Sequence, residues 1–359
     1  MVLVGGAGTR LLPLTRTTPK QMLPVVEVTM LERVLGHLAG HGVEEAVLSM
    51  GYRPDVFLSV FPDDRCAGVA LRYAVEPAPL DTAGAIRFAA RHGSVDDTFL
   101  VVNGDILTDL DVSALVAFHR RHGGPVSLSL TAVEDPSAFG VVDLDGSGQV
   151  RAFVEKPAPG EAPTNLVNAG TYVLEPEVLD RIPAGRPVSI EREVFPGLVR
   201  SGALHAMASD AYWIDAGTPA KYLQAHADLL SGCRPGVPAP GAREGEPGVW
   251  TLGEPVVDGE VMPHSLVGDA AFVRSGSHVR GSVIGAGARV EAATVVDSVL
   301  LPGSVLHAGA TVEGSIVGPA AVVGEGARLS GLSVIGDAVK VEPGAHFHAE
   351  LVPPPTLPA

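Results

Sequence analysis

Up to about residue 230, the chain alternates amphipathic stretches with short, nearly continuous apolar runs. Apolar residues three and four positions apart predict helices at residues 30–40, 82–91 and 112–122. The apolar runs predict buried strands at residues 2–4, 46–48, 69–75, 99–102, 126–133 and 150–154. This βαβα alternation is typical of a mixed, mostly parallel, Rossmann-like sheet covered by helices, in which ligands gather at the carboxyl ends of the strands.

The hydrophobic pattern changes beyond residue 230. Residues 231–250 are rich in glycine and proline, which predicts a linker. From about residue 251, single aliphatic residues recur every six positions, as at Val317, Val323, Leu329, Ile335 and Val341. This period predicts a left-handed parallel β-helix, whereas a β-sandwich would alternate with period two. We therefore predict an α/β domain at 1–230, the linker at 231–250, a hexapeptide-repeat β-helix at 251–350 and a Pro-rich tail at 351–359.

Length and composition limit the classes of function. A chain of 359 residues exceeds a single compact core, and 46% apolar with 18% charged residues is typical of globular proteins. The formal net charge of −16 disfavours nucleic acid as a partner. Neither a signal-peptide pattern nor an apolar run of membrane-spanning length is seen, which predicts a cytoplasmic protein without a membrane partner. Because so little chain precedes Gly5, we expect the native first strand to begin upstream.

The most informative polar segment follows the first apolar run. It reads Gly5-Gly6-Ala7-Gly8-Thr9-Arg10, and Lys20 follows further along. Glycines directly after a strand allow several N–H groups to point at one anion, and the two cations add positive charge. The segment matches neither the Walker A pattern nor the dinucleotide-binding fingerprint. We interpret it as a polyphosphate-binding loop; the alternative is a tight strand-to-helix turn without a ligand.

Two aspartates lie next to turn residues after predicted strands. Asp105 ends the run Asn103-Gly104-Asp105, and Asp215 is followed by Ala216-Gly217-Thr218. A Gly-Asp pair alone is more often ordinary turn chemistry. Mg²⁺, however, takes one or two protein carboxylates and completes its octahedron with phosphate oxygens and water. Together with a phosphate loop, the two aspartates predict a Mg²⁺–nucleotide site.

Three further polar segments lie between apolar stretches. Glu155-Lys156-Pro157 ends a predicted strand, where the lysine can hold an anion and the glutamate can accept hydrogen bonds from hydroxyls. Asn168-Ala169-Gly170 offers amide groups at short range. We expect Thr82 to cap the helix that begins there, and Gly84 to let the backbone approach a flat ring. Each of these polar segments could also be an ordinary solvated strand end or a turn.

In combination, these motifs resemble the sugar-1-phosphate nucleotidylyltransferases. The resemblance covers essentially the whole chain and rests on the runs 5–20, 80–85, 103–105, 153–157, 168–170 and 213–219. It is strongest to the mannose-1-phosphate guanylyltransferases of actinobacterial type, because Ser189-Ile190-Glu191-Arg192-Glu193-Val194-Phe195-Pro196 is similar to a stretch of the mannose-specific members. It implies a Mg²⁺-dependent transfer from GTP to mannose 1-phosphate, which gives GDP-mannose and pyrophosphate.

The resemblance also implies roles for individual residues. Arg10 would stabilise the leaving pyrophosphate, and Lys20 would contact the α-phosphate or the sugar phosphate. Asp105 and Asp215 would carry Mg²⁺. The implied nucleotide contacts are Gly5, Gly6, Gly8, Thr9, Thr82, Gly84 and Asn103. The implied sugar-phosphate contacts are Gly140, Glu155, Lys156, Asn168 and Gly170.

Departures from the family pattern leave other interpretations open. Asp81 replaces a usual glycine, Gln21 replaces a frequent proline, and Val28-Thr29-Met30 replaces a usual lysine-proline. A carboxylate at Asp81 would alter the affinity for the nucleotide or the base that the site prefers. The alternatives are a glucose-1-phosphate thymidylyl-, uridylyl- or adenylyltransferase, a non-catalytic paralogue that senses nucleotide sugars, and a hexapeptide acyltransferase using His264 or His307. The stacked coils of the β-helix further predict a homo-oligomer.

Overall fold

The computed structural model describes residues 1–234 and 236–354. Pro235 of the predicted linker and residues 355–359 of the predicted tail lie outside the described residues. The chain divides into two compact units, of which the first comprises Met1–Ala7 and Leu31–Trp213. The second comprises Gly8–Met30 and Ile214–Ala359. The segment 8–30 therefore packs with the C-terminal part of the chain, a grouping that the sequence pattern does not indicate.

A ten-stranded mixed sheet forms the centre of the first unit. Its strands are β1 Val2–Leu3, β2 Glu45–Met50, β3 Arg65–Cys66, β4 Val69–Val75, β5 Phe99–Asn103, β6 Val126–Ala132, β7 Gly140–Leu144, β8 Val150–Glu155, β9 Leu166–Leu174 and β10 Leu204–Ala208. They lie in the order β8-β7-β9-β5-β1-β2-β4-β3, with β6 next to β9 and β10 next to β6. The group β5-β1-β2-β4 is parallel, whereas β9 is antiparallel to β5, β6 and β7. The predicted mixed Rossmann-like sheet is confirmed.

Helices follow the apolar periodicity of the sequence. They are α1 Met30–Gly40, α2 Pro54–Val60, α3 Asp81–His92, α4 Val112–His122 and α5 Phe195–Arg200, with shorter helical turns at Pro176–Arg181 and Ile190–Val194 and short strands at Ile106–Thr108 and Trp213–Asp215. The bounds predicted for α1 and α4 are confirmed. The prediction that Thr82 caps α3 is wrong, because Leu80 precedes the helix and the Thr82 hydroxyl bonds to residues outside it. Among the described residues, no helix combines the length and apolar character that crossing a membrane requires.

A parallel β-solenoid with three sheets makes up most of the second unit. The first sheet contains Arg243–Glu244, Val249–Thr251, Ser265–Val267, Val283–Ile284, Val299–Leu300, Ile316–Val317, Val334–Ile335 and Leu351–Val352. The second contains Val256–Val257, Phe272–Val273, Arg289–Val290, Val305–Leu306, Val322–Val323 and Lys340–Val341. The third contains Glu260–Val261, His278–Arg280, Thr294–Val296, Thr311–Glu313, Arg328–Ser330 and His346–His348. Its inward aliphatic side chains form one continuous buried cluster, so the predicted β-helix is confirmed, while its handedness stays a prediction.

The remaining elements of the second unit come from segment 8–30, which interrupts the first unit in the sequence, and from the residues that follow the first unit. Segment 8–30 contains helical turns at Thr9–Leu11, Leu14–Arg16 and Lys20–Met22 and a hairpin of Pro24–Val25 with Val28–Thr29. Helix α6, Pro219–Leu230, precedes the solenoid. Two strands of the first solenoid sheet overlap the stretch predicted as a linker: Arg243–Glu244 lies within it, and Val249–Thr251 begins in it. Solenoid strands are so short that glycine and proline in their turns dominate the local composition.

Candidate active site

The first part of the glycine-rich loop, Gly5 and Gly6, follows β1 in the first unit. The Gly5 carbonyl accepts a hydrogen bond from Tyr52 N at 3.2 Å. A Cβ on Gly5 would lie 3.1 Å from Glu76 Oε1, and one on Gly51 would lie 2.9 Å from Gly5 O. A Cβ on Gly6, by contrast, would have no atom within 4 Å. Packing therefore accounts for Gly5, while Gly6 is exposed and open to a ligand.

The second part of the loop closes on itself within the second unit. Gly8 has φ +65°, and its carbonyl accepts hydrogen bonds from Leu11 N and Thr15 Oγ1, both at 2.9 Å. A Cβ on Gly8 would lie 3.1 Å from Lys20 Cβ. A non-glycine residue would thus be strained and crowded here. The closed loop leaves Thr9 and Arg10 exposed.

Arg10 and Asp215 form an ion pair in the second unit. Arg10 Nη2 lies 3.5 Å from Asp215 Oδ2, and the two side chains are 59% and 22% exposed. The Gly217 amide donates to Asp215 Oδ1 at 2.9 Å. A Cβ on Gly217 would lie 2.7 Å from both Arg10 Nη2 and Asp215 Oδ1, so only glycine leaves room for the pair. Thr218 caps α6 by accepting from Lys221 N at 3.3 Å, which orients the turn after Asp215.

Asp105 leaves the sheet at the carboxyl end of β5, as predicted for ligand-binding residues of such sheets. Gly104 N donates to Leu3 O at 3.0 Å and extends the β1–β5 pairing by one residue. Asp105 itself is only 9% exposed. Neighbouring Asn103 lies against Gly170, whose added Cβ would be 2.7 Å from Asn103 Nδ2. The structure thus brings these predicted residues together in the first unit.

The run Asn168-Ala169-Gly170 is an irregularity in the long strand β9. The pairing register with β6 shifts between Asn168 and Tyr172, and Gly170 has φ +73°. Asn168 Nδ2 donates to the Tyr172 hydroxyl at 2.8 Å, and Asn168 Oδ1 accepts from Gly170 N at 3.1 Å. Trp213 Nε1 donates to Ala169 O at 2.9 Å. These bonds fix the bulge, so Asn168 has a defined orientation.

Gly140 and Glu155 are direct partners across the antiparallel β7–β8 pair. A Cβ on Gly140 would lie 2.5 Å from Phe153 Cζ and 2.9 Å from Glu155 Oε2, so the glycine makes room for the ring and for the carboxylate. Burial raises the pKa of the Glu155 carboxyl, and the nearby Glu191 carboxylate acts in the same direction. Lys156 is exposed, and its amide donates to Phe139 O at 2.9 Å. A cation and a half-buried hydrogen-bond acceptor are therefore adjacent at this strand end.

The start of α3 is tied to the segment around residue 190. Thr82 Oγ1 donates to Glu191 Oε2 at 2.8 Å and accepts from Ile190 N at 2.8 Å. Gly84 is buried, and its added Cβ would lie 3.0 Å from Leu80 Cβ and 3.3 Å from Arg186 O, so the site is crowded. Asp81 has φ +57°, and its carboxylate accepts from the Thr82 amide at 2.7 Å. The Asp81 carboxylate thus bonds to the first turn of α3, beside Thr82 and Gly84, which are predicted to contact the base.

The motifs named from the sequence do not include Glu76, a further acidic residue at a strand end of the first unit. It follows β4 at its carboxyl end and lies against Gly5. Its Oε1 accepts from Ser49 Oγ and its Oε2 accepts from Leu80 N, both at 3.1 Å. Burial raises the pKa of its carboxyl. Its position after a predicted strand is the signal that could have revealed it.

The predicted metal ligands are hard oxygen donors. Within residues 1–234 and 236–354, no three His, Cys, Asp or Glu side chains are grouped so that they could hold a metal ion by themselves. Mg²⁺ needs only one or two protein carboxylates when phosphates and water complete its shell. Asp105 and Asp215 fit that chemistry as donors. The fold is that of an α/β protein with polar and charged side chains at strand ends of its mixed sheet, and it continues into a β-solenoid.

Comparison with known proteins gives the family. The chain belongs to the nucleotidyl transferase family, whose model matches residues 1–232, and the model described as the GMPPB C-terminal domain matches residues 258–356. It is 41% identical to the mannose-1-phosphate guanylyltransferase of Mycobacterium tuberculosis, over 83% of this chain and 82% of that protein. It is 40% identical to the mannose-1-phosphate guanyltransferase of Emericella nidulans, over 62% of each chain.

Solved structures support the same fold. HddC from Yersinia pseudotuberculosis superposes with a TM-score of 0.55 and 29% identity, covering 64% of this chain and 97% of that chain. The same values hold for HddC complexed with GMP-PN. A putative glucose-1-phosphate thymidylyltransferase from Bacillus anthracis, at 24% identity and a TM-score of 0.58, shares the fold over 63% of this chain. The resemblance read from the motifs is confirmed as membership of the family.

Proposed function

We propose that the protein transfers a guanylyl group from GTP to α-D-mannose 1-phosphate, giving GDP-mannose and pyrophosphate. The observation that carries the proposal is the 41% identity to a mannose-1-phosphate guanylyltransferase over 83% of the chain. The Arg10–Asp215 pair and the strand-end residue Asp105 support it, because a non-catalytic paralogue has no need to retain these charges.

The reaction is an in-line displacement at the α-phosphorus of GTP. A phosphate oxygen of the sugar phosphate forms the new bond to this phosphorus while the bond to the bridging oxygen of the β-phosphate breaks. The electron pair leaves with pyrophosphate. We propose that Gly6, Gly8 and Thr9 hold the triphosphate, with Gly5 shaping the loop beside them. Arg10 stabilises the charge that grows on the leaving group, and Lys20 contacts the α-phosphate or the sugar phosphate.

Asp105 and Asp215 are proposed as the Mg²⁺ ligands. Bound Mg²⁺ would neutralise charge on the phosphates during the transfer. In the second unit, Asp215 is paired with Arg10, which keeps the carboxylate and the guanidinium side by side. Asp105 sits at a strand end with little exposure, where a carboxylate keeps its orientation.

The sugar phosphate is proposed to bind in the first unit. Lys156 supplies a cation for the phosphate, and Glu155 accepts hydrogen bonds from sugar hydroxyls beside Gly140. The bulge at Asn168 and Gly170, which its own hydrogen bonds hold in place, is proposed to contact the sugar phosphate. Positioning of this kind supplies much of the rate enhancement in phosphoryl transfer.

Base selection is proposed to involve Glu76 and the start of α3 with Asn103, Thr82 and Gly84. Guanine presents two adjacent N–H donors on one edge, and a carboxylate can accept both. Uracil and thymine offer a single N–H on the matching edge. Glu76 carries a carboxylate beside Gly5 with lone pairs beyond its two protein hydrogen bonds.

A panel of four nucleoside triphosphates with mannose or glucose 1-phosphate tests the proposal. Purified protein with Mg²⁺ should release pyrophosphate fastest from GTP with mannose 1-phosphate. A preference for TTP, UTP or ATP with glucose 1-phosphate would overturn the substrate pair but keep the reaction class. No pyrophosphate from any combination would favour a sensor of nucleotide sugars.

The organisation of the chain also stays a proposal. We assign residues 1–230 to the catalytic domain, 231–250 to a connecting segment, 251–350 to the hexapeptide-repeat β-helix and 351–359 to a tail. We propose that the β-helix mediates homo-oligomerisation and that the enzyme acts in the cytoplasm on its soluble substrates.

A further inference from the structure

The hairpin at residues 24–29 of the second unit has a strained turn. Strands Pro24–Val25 and Val28–Thr29 pair around Val26 and Glu27, whose φ angles are +49° and +64°. A two-residue turn of this kind normally carries Asn-Gly, because both central residues need positive φ. A β-branched residue such as Val26 is a marked exception. Such a turn persists only where surrounding contacts determine it.

Those contacts come from α6 and from the solenoid. The Val26 amide donates to His226 Nδ1 at 3.2 Å, and the Tyr222 hydroxyl donates to Pro24 O. Glu27 Oε2 accepts from the Ala286 amide of the solenoid at 3.0 Å. A Cβ on Gly268 would lie 3.0 Å from this same oxygen, so the coil leaves room for the carboxylate. Glu27 is thus a specific side-chain contact from the hairpin to the solenoid.

The hairpin joins directly to Lys20. Leu23 N donates to Lys20 O at 3.1 Å, and Met30 N donates to Leu23 O at 3.2 Å. Leu23 is 1% exposed, which leaves this turn little freedom. The Lys20 side chain in turn packs beside Gly8. A displacement of the hairpin is therefore passed to Lys20 through a short, buried and hydrogen-bonded path.

We propose that Glu27 is a positioning residue, which lets the solenoid set the position of Lys20 through the hairpin 24–29. The proposal rests on the proposed function, since it assumes that Lys20 acts on the transferred phosphate. It gives the solenoid a part in catalysis that does not depend on oligomerisation. It also explains why a charged residue occupies a turn position that would otherwise favour glycine.

The test compares Glu27→Ala with Glu27→Gln in the full-length protein. Gln keeps an oxygen acceptor for the Ala286 amide, whereas Ala removes it. We expect Glu27→Ala to lower kcat about tenfold or more with both KM values nearly unchanged, as for a lost transition-state contact. Gln should restore most of that loss. Glu254→Ala, which alters an exposed solenoid carboxylate outside this path, is the matched control. Circular dichroism melts identify any loss that reflects unfolding.

A double-mutant cycle with Lys20→Ala separates positioning from a structural role. If Glu27 acts through Lys20, Glu27→Ala should add nothing to the loss caused by Lys20→Ala. Additive losses, or a Gln variant as slow as the Ala variant, would overturn the positioning role. Wild-type turnover of Glu27→Ala would overturn it as well. Wild-type turnover of Lys20→Ala would instead refute the proposed function of Lys20.

Discussion

Replacing Gly217 by alanine should disturb the Arg10–Asp215 pair without disturbing the backbone. Gly217 does not have a positive φ, so alanine is conformationally acceptable there. Its Cβ, however, would lie 2.7 Å from Arg10 Nη2 and from Asp215 Oδ1, well inside ordinary contact distance. Both side-chain atoms must move by several tenths of an ångström. Because both atoms are at the ends of side chains, the clash is relieved by movement of the ion pair and not by movement of the backbone.

The expected result is a large loss of rate with a small loss of stability. Misplacement of catalytic groups by about 1 Å can cost on the order of a hundredfold in rate, so we expect kcat to fall about 10- to 100-fold. The free energy of unfolding should fall by no more than the roughly 1–3 kcal/mol typical of overpacking. Initial rates of pyrophosphate release and urea unfolding measure the two effects.

Gly245→Ala provides the control for this experiment. Gly245 lies in the same unit, without positive φ, and its added Cβ would meet no atom within 4 Å. Its rate and stability should stay close to those of the wild type. If Gly217→Ala also keeps the wild-type rate, the Arg10–Asp215 geometry has no part in turnover and the roles of both residues are refuted.

Three further predictions follow from single residues. Asp105→Ala should abolish turnover, and a wild-type rate would remove Asp105 from the metal site. Glu76→Gln should reduce kcat/KM for GTP more than for the other triphosphates, since an amide accepts less well from two guanine N–H groups; an equal loss with every nucleotide would indicate a structural role only. Burial lowers the pKa of the His205 imidazole, and the nearby His122 acts in the same direction. The unfolded state therefore binds more protons than the folded state as pH falls below about 6.5. Stability measured by urea unfolding should therefore drop on acidification through that range, and His205→Gln should weaken the drop; an unchanged pH dependence would contradict the effect.

The periodic parts of the fold could be predicted from the sequence because the signal is local. The six-residue repeat and the helices α1 and α4 could be predicted because the spacing of apolar residues shows which positions face the core. The roles of the motif residues stay predictions, which rest on the combination of several motifs, since none of them is specific by itself. The start of α3 was misjudged by one residue, since the Thr82 hydroxyl was assigned to its own helix and instead bonds to Glu191.

Contacts between distant segments could not be predicted. The reason for Gly217 lies in the Arg10 side chain, more than 200 residues away along the chain, which no local pattern reveals. The grouping of segment 8–30 with the solenoid depends on bonds such as that between Glu27 and the Ala286 amide. Glu76 follows a predicted strand, but its contact with Gly5 depends on the strand order β1-β2-β4, which no local pattern reveals.

The central claim is guanylyl transfer to mannose 1-phosphate. Incubation of the full-length protein with GTP, mannose 1-phosphate and Mg²⁺, followed by ³¹P NMR, tests it most directly. We predict equal amounts of GDP-mannose and pyrophosphate, formed only when both substrates and the metal ion are present. Unchanged GTP, or GDP with inorganic phosphate instead of these products, would contradict it.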